Sequence, residues 1–172
     1  MNLTLIRHSI PDYSDILETD STKKPTKAHL SKEGIALAHN NFKDIDFSKN
    51  EIVLVSPFIR ALDTANILKG YVGDIPFIVE ENLHEWLPDK NFVKEVKDIK
   101  PLYKDYILHN GESIEDVFWE TDLETKKRVF DTLFKYKNYN NIIIVAHSRL
   151  FKVCFNLSKC DFASINYKEF YF

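Results

Sequence analysis

Glycine is scarce in this chain: Gly34, Gly70, Gly73 and Gly111 are all it has in 172 residues, and no glycine-rich turn follows an apolar run. P-loop and dinucleotide sites need such turns to cradle phosphates with backbone amides, so neither is expected. Cysteine is scarcer still. Cys154 and Cys160 have neither redox nor zinc-knuckle spacing and read as reduced thiols. His84-Glu85 does not open a zinc-protease helix, because Pro88 stands where the second histidine belongs. The remaining histidines show no metal spacing, and no catalytic metal is expected. No run approaches the roughly 18 apolar residues of a membrane span. No cleavable leader precedes the first strand, which begins almost at Met1, so a cytoplasmic protein is expected. Basic excess is missing too: 23 Lys and Arg face 26 Asp and Glu, a net charge of −3. That balance argues against nucleic acid as a partner while allowing a local basic pocket for a small anion.

What is present fits one soluble domain over 1–172 with a sizeable core: 44% of residues are apolar and 28% charged. Apolar runs alternate with helix-like segments. Strands are expected over Leu3 to Arg7, Glu51 to Val55, Pro76 to Val79, Ile142 to Ala146 and Glu169 to Tyr171. Ser31 should cap a helix carrying Ile35, Leu37, Ala38 and Phe42. Ser56-Pro57 reads as the start of another helix, ending near Gly70. A long helix is expected from a capping-box-like Ser113 to about Tyr136, and a shorter one from Ser148 to Leu157. Such alternation predicts a three-layer α/β/α sandwich around a mainly parallel sheet.

Two strands end in histidine. Arg7-His8 closes Leu3-Thr4-Leu5-Ile6, and His147 closes Ile142 to Ala146. In open α/β sheets the carboxyl ends of strands face the ligand crevice, so the two histidines point to one site. A neutral imidazole can attack phosphorus and split one phosphoryl transfer into two easier steps. Cations must then surround the peripheral oxygens, and Arg7 and Arg60 are placed to supply them. A carboxylic acid is also needed to protonate the departing oxygen.

These residues resemble the histidine phosphatase superfamily, the phosphoglycerate mutase-like family. Leu5-Ile6-Arg7-His8-Ser9 is similar to its Arg-His motif, and Leu30-Ser31-Lys32-Glu33-Gly34 to its Leu-Thr-x-x-Gly helix start. Ser56-Pro57-Phe58-Ile59-Arg60-Ala61 with Thr64-Ala65 resembles the Ser-x-x-x-Arg-Ala-x-x-Thr-Ala block. Leu83-His84-Glu85, Gly111-Glu112-Ser113 and Val145-Ala146-His147-Ser148 follow in family order. The resemblance implies that His8 carries the phosphoryl group, while Arg7, Arg60, His147 and Ser148 bind phosphate. It implies Glu85 as proton donor, with Glu80, Glu81 and Asp89 as neighbouring carboxylates that could take that part. No metal or organic cofactor is implied. Ser9 and Ser148 replace a common glycine, and Ile10 to Ser14 offers no clear equivalent of a further polar phosphate contact.

Plainer explanations stand beside these. Strand-end histidines are often buried and hydrogen-bonded without function. Ser56 reads as a helix cap, Arg149 equally as a pocket or solvent residue, and His29, His39, His84 and His109 as ordinary histidines. The lysines from Lys90 to Lys104 read as a solvated face, the alternative being a basic stretch that helps to hold a polyanionic substrate. The expected activity is metal-independent phosphomonoester hydrolysis on a small phosphorylated substrate or a phosphoprotein. The alternatives are mutase-type phosphoryl transfer, disfavoured because no arginine pair stands between Arg60 and Arg128, and a catalytically silent phosphate-binding module.

Overall fold

Strands buried on both faces read as continuous apolar runs, and Ile52–Val55 and Asn141–Ala146 are such runs, buried along almost their whole length. The computed structural model describes residues 1–14, 27–90, 99–112 and 117–172. Its elements are β1 (Asn2–Arg7), α1 (Lys32–Phe42), β2 (Ile52–Val55), α2 (Ile59–Leu68) and β3 (Phe77–Val79). A short 3-10 turn (Glu81–Leu83) precedes α3 (Lys100–Leu108) and α4 (Asp122–Lys135). The last elements are β4 (Asn141–Ala146), α5 (Ser148–Phe155) and β5 (Ile165–Glu169). The sheet order is β3-β2-β4-β1-β5, parallel except for β5, which runs antiparallel along β1.

Alternate residues of each central strand face opposite layers. Leu5, Leu54 and Ile144 pack with Val129 and Leu133 of α4 and Leu150 and Phe151 of α5. Ile6, Val53 and Val145 pack with Ala38 and Phe42 of α1 and Ala61 and Leu68 of α2. The expected three-layer arrangement is therefore present.

Register decides where the chemistry sits. Arg7 pairs with Ala146, so His8 and His147 leave the sheet side by side, and the His8 amide donates to the Ala146 carbonyl at 2.9 Å. The Ser56 amide reaches the Val145 carbonyl at 3.0 Å, placing the end of β2 at the same level. The loop after His8 is stitched to the start of α1: Ser31 N donates to Ile10 O at 2.9 Å, and Asp12 N to His29 O at 2.8 Å. Ser31 caps α1 as expected, its hydroxyl accepting from Gly34 N at 3.0 Å. Gly34 has a steric reason to be glycine: a Cβ there would lie 2.2 Å from the Ile10 carbonyl oxygen.

Several boundaries differ from the sequence expectation. The long helix begins at Asp122, not near Ser113. Thr121 caps it in a full capping box, its hydroxyl accepting from Glu124 N while Glu124 accepts from Thr121 N. Residues Ser113 to Asp116 lie outside the described residues. Downstream of them the chain pairs with the 87–90 loop instead of coiling, Glu120 N donating to Leu87 O at 2.9 Å. Trp119 is thereby buried against Tyr106, and that burial outweighs local helix propensity. The N-cap of α2 is Phe58 rather than Ser56, and β5 lies earlier than the expected Glu169 to Tyr171. Part of the lysine stretch, 91–98, also falls outside the described residues; Lys90 pairs with Glu124 at 2.7 Å.

Candidate active site

At the carboxyl ends of β1, β2 and β4 the structure gathers Arg7, His8, Ser56, Arg60 and His147. Arg60 lies in the first turn of α2, only 3% exposed, and its guanidinium reaches both histidines. Its Nε donates to His8 Nε2 at 3.0 Å and its Nη2 to His147 Nδ1 at 3.1 Å. A guanidinium has no acceptor to offer, so both imidazole nitrogens facing it carry lone pairs.

The opposite ring nitrogens complete the assignment. His8 Nδ1 donates to the Ser9 carbonyl at 2.7 Å, and His147 Nε2 donates to Ser56 Oγ at 2.7 Å. Both rings are therefore held neutral. Burial, followed by the charge of Arg60, pushes His8 down from its ordinary value to about 3. The same two causes hold His147 well below its ordinary value. His8 thus presents an unprotonated Nε2 to the site at neutral pH, which nucleophilic attack requires.

The cations are poised differently from the histidines. Arg7 Nη1 donates to the Cys160 carbonyl at 2.7 Å, and its guanidinium lies 3.8 Å above the Phe162 ring. Arg60 rests similarly on Phe58, at 4.9 Å. Among the described residues, Arg7 Nε and Arg60 Nη1 are buried donors without a hydrogen-bond partner. Buried unpaired donors are costly, so two of them in one crevice indicate a place prepared for an anion.

The chain around His8 is pinned from two sides. Ser9 N donates to Thr64 Oγ1 at 3.0 Å, and Ser9 Oγ donates to the Gly34 carbonyl at 2.6 Å. The hydroxyl at Ser9 therefore ties the loop after His8 to α1. Ser148, expected as a phosphate contact, is the first residue of α5, and its hydroxyl faces the Cys160 thiol. Burial pushes that thiol up, which makes it a poor nucleophile.

Glu85 is the carboxylate brought to this crevice. Its charge acts on both Arg7 and Arg60, opposing the effect of their burial. Oε1 accepts from the amides of Trp86 at 3.0 Å and Leu150 at 3.1 Å, while Oε2 accepts from the Arg149 amide at 3.2 Å. Glu80 is engaged elsewhere, by Lys135 at 3.0 Å and Tyr136 Oη at 2.6 Å. Glu81 sits exposed on the 3-10 turn, and Asp89 is buried. Among the described residues no three His, Cys, Asp or Glu side chains converge as a metal-binding group.

Sequence reasoning missed Ser56 as the partner that sets the His147 tautomer, because its local Ser-Pro context explains it equally well as a cap. Phe162 and Thr64 were also missed as supports of Arg7 and of the His8 loop. Thr64 lay inside a recognised block, whereas nothing local marked Phe162.

The profile of the histidine phosphatase superfamily (branch 1) matches residues 3–165. No curated protein sequence matches the chain. Among solved structures, a mycobacterial glucosyl-3-phosphoglycerate phosphatase superposes with a TM-score of 0.69 at 17% identity, over 96% of this chain and 88% of that one. YhfR of Bacillus stearothermophilus gives 0.72 at 17%, over 98% and 90%. The α-ribazole phosphatase of Shigella flexneri gives 0.62 at 22%, over 88% and 76%. At these identities the likeness is one of fold.

Proposed function

Since this chain belongs to the histidine phosphatase superfamily, branch 1, we propose that it hydrolyses phosphomonoesters without a metal, through a phosphohistidine on His8. The observation that carries this reading is the pairing of a neutral His8 Nε2 with unpartnered donors on Arg7 and Arg60.

The incoming phosphate takes the Arg60 Nε–H from His8 and engages the free Arg7 Nε and Arg60 Nη1, which frees the Nε2 lone pair. That lone pair forms the N–P bond as the ester P–O bond breaks, and protonated Glu85 gives its proton to the departing alcohol. The Ser9 carbonyl, holding Nδ1–H at 2.7 Å, supports the positive charge that develops on the ring. Water then attacks phosphorus, Glu85 takes its proton, the N–P bond breaks and phosphate leaves. His147 Nδ1 accepts from Arg60 in the free site and becomes a phosphate donor by taking the proton of the ester's monoanion, which leaves the dianion beside it. Ser148 offers its amide at the start of α5 to the phosphate, in place of its hydroxyl.

The small-molecule phosphatases among the fold relatives suggest small phosphorylated substrates, and a phosphoprotein is the other class to test. The direct experiment incubates the chain with a panel of phosphomonoesters and 3-phosphoglycerate, with a chelator present. Phosphate release, and a phosphohistidine trapped at His8, are expected. Isomerisation of 3-phosphoglycerate without release would replace hydrolysis by mutase chemistry. Phosphate binding without turnover of small or protein substrates would leave a silent binding module. Glu85→Gln should reduce turnover by roughly 10² to 10⁴-fold with little change in phosphate affinity. Unchanged turnover would remove Glu85 from the mechanism.

A further inference from the structure

The first turn of α5 has an unusual cap. His147 is the N-cap residue but makes no side-chain capping bond. The orphan amides of Arg149 and Leu150 are instead satisfied by Glu85, from a distant loop. The carboxyl that would deliver the proton is thereby fixed by the same helix end that follows His147. Its two oxygens are unequal: Oε1 accepts two amides, whereas Oε2 accepts only that of Arg149. Oε2 has the spare capacity to carry a proton.

Arg149 is held in turn from outside the sheet. Its Nε donates to Tyr106 Oη at 2.6 Å, its Nη2 reaches the same oxygen, and Nη2 lies 3.7 Å from Asp122 Oδ1. Tyr106 is fully buried and donates its own hydroxyl hydrogen to Asp122, the first residue of α4. Burial, followed by this bond to Asp122, raises the Tyr106 hydroxyl above its ordinary value, so it remains protonated and keeps donating. The Tyr106 ring packs on Trp86 at 4.9 Å, and Trp86 N donates to Glu85 Oε1. One aromatic cluster therefore grips Glu85 from both sides, through Trp86 in its own loop and through Arg149 on α5. The side-chain donors of Arg149 are engaged by Tyr106 and Asp122.

We propose that Arg149, locked by Tyr106 and Asp122, is a positioning residue that holds Glu85 Oε2 toward the departing oxygen. This rests on Glu85 acting as the proton donor in the reading above. Proton donation matters most for esters whose leaving group is a poor anion, and least for p-nitrophenolate. The test compares kcat/KM for phenyl phosphate and p-nitrophenyl phosphate in the full chain and in Arg149→Met, Tyr106→Phe and Arg149→Lys. Circular dichroism of each variant checks folding, and inhibition by inorganic phosphate reports the anion site. For Arg149→Met a loss of roughly 10 to 100-fold on phenyl phosphate is expected, with p-nitrophenyl phosphate and phosphate inhibition changed by no more than about twofold. Tyr106→Phe should show the same selectivity in weaker form, and Arg149→Lys should recover part of the loss. Equal losses on both esters in folded variants, or weakened phosphate inhibition, would overturn the positioning role. A wild-type chain inactive on both esters, on the wider panel and on phosphoproteins would overturn this proposal together with the reading beneath it; wild-type activity abolished by His8→Ala, with equal losses in the Arg149 variants, would overturn this one alone.

Discussion

Around His8 and His147 the buried guanidinium groups are left with donors unused, whereas Trp86, Trp119 and Tyr106 each pair their side-chain donor. Trp86 Nε1 donates to the Glu120 carbonyl at 2.7 Å, Trp119 Nε1 to Asp105 at 2.8 Å, and Tyr106 Oη to Asp122. The first region keeps two guanidinium donors for an acceptor that enters the crevice. The second closes on itself and supplies rigidity. The proposed chemistry and its structural support are thus separate among the described residues, and they meet at Glu85.

The widest separation should come from His8→Ala, which removes the nitrogen proposed to attack phosphorus and should lower turnover by on the order of 10⁴-fold or more. Because His8 is one of the groups held neutral at a cost in burial, its loss should not destabilise the fold comparably; urea unfolding beside the rate assay checks both. Trp119→Ala should do the reverse, costing about 3–5 kcal/mol of stability by emptying the aromatic cluster. At temperatures where the variant remains folded, its phosphate affinity should be preserved. Arg60→Lys follows, with turnover down by about 10² to 10³-fold, because a point charge cannot serve both histidines and the phosphate as the planar fork does.

A further effect comes from pH. The folded pKa of His8 lies at about 3 and that of His147 is also lowered, so the unfolded chain binds protons that the native state refuses. Stability from this source is present above the ordinary value near 6.5 and is lost as pH falls toward 3. Urea midpoints should decline across that window, and His147→Gln should flatten the decline. Smallest of all, Ser9→Gly removes the bond to the Gly34 carbonyl and should cost about 1 kcal/mol, with turnover changed only a few-fold.

The same division explains what could be read from the chain alone. The three central strands were legible because strands buried on both faces leave uninterrupted apolar runs, and each histidine follows such a run directly. Arg60 was legible for its place after Ser56-Pro57. The aromatic region was not, because its order comes from contacts between residues far apart in sequence. Thr121 and Glu124 form the real capping box of α4, yet Ser113 offered a similar pattern earlier, and only the burial of Trp119 decides between them. Ser56 illustrates the limit at one residue. Its Oγ accepts from Phe58 N at 3.3 Å, as a local cap would, but also from His147, and that second partner stands 91 positions away.

Gly34 and Ile10 meet backbone to backbone, with no side chain between them. Most seams in a protein interior drift over generations, because a smaller residue on one side can be answered by a larger one on the other. This seam has nothing to exchange. The spacing between α1 and the loop behind His8 is therefore set by the thickness of the polypeptide itself, a gauge that substitution at neighbouring core positions cannot reset.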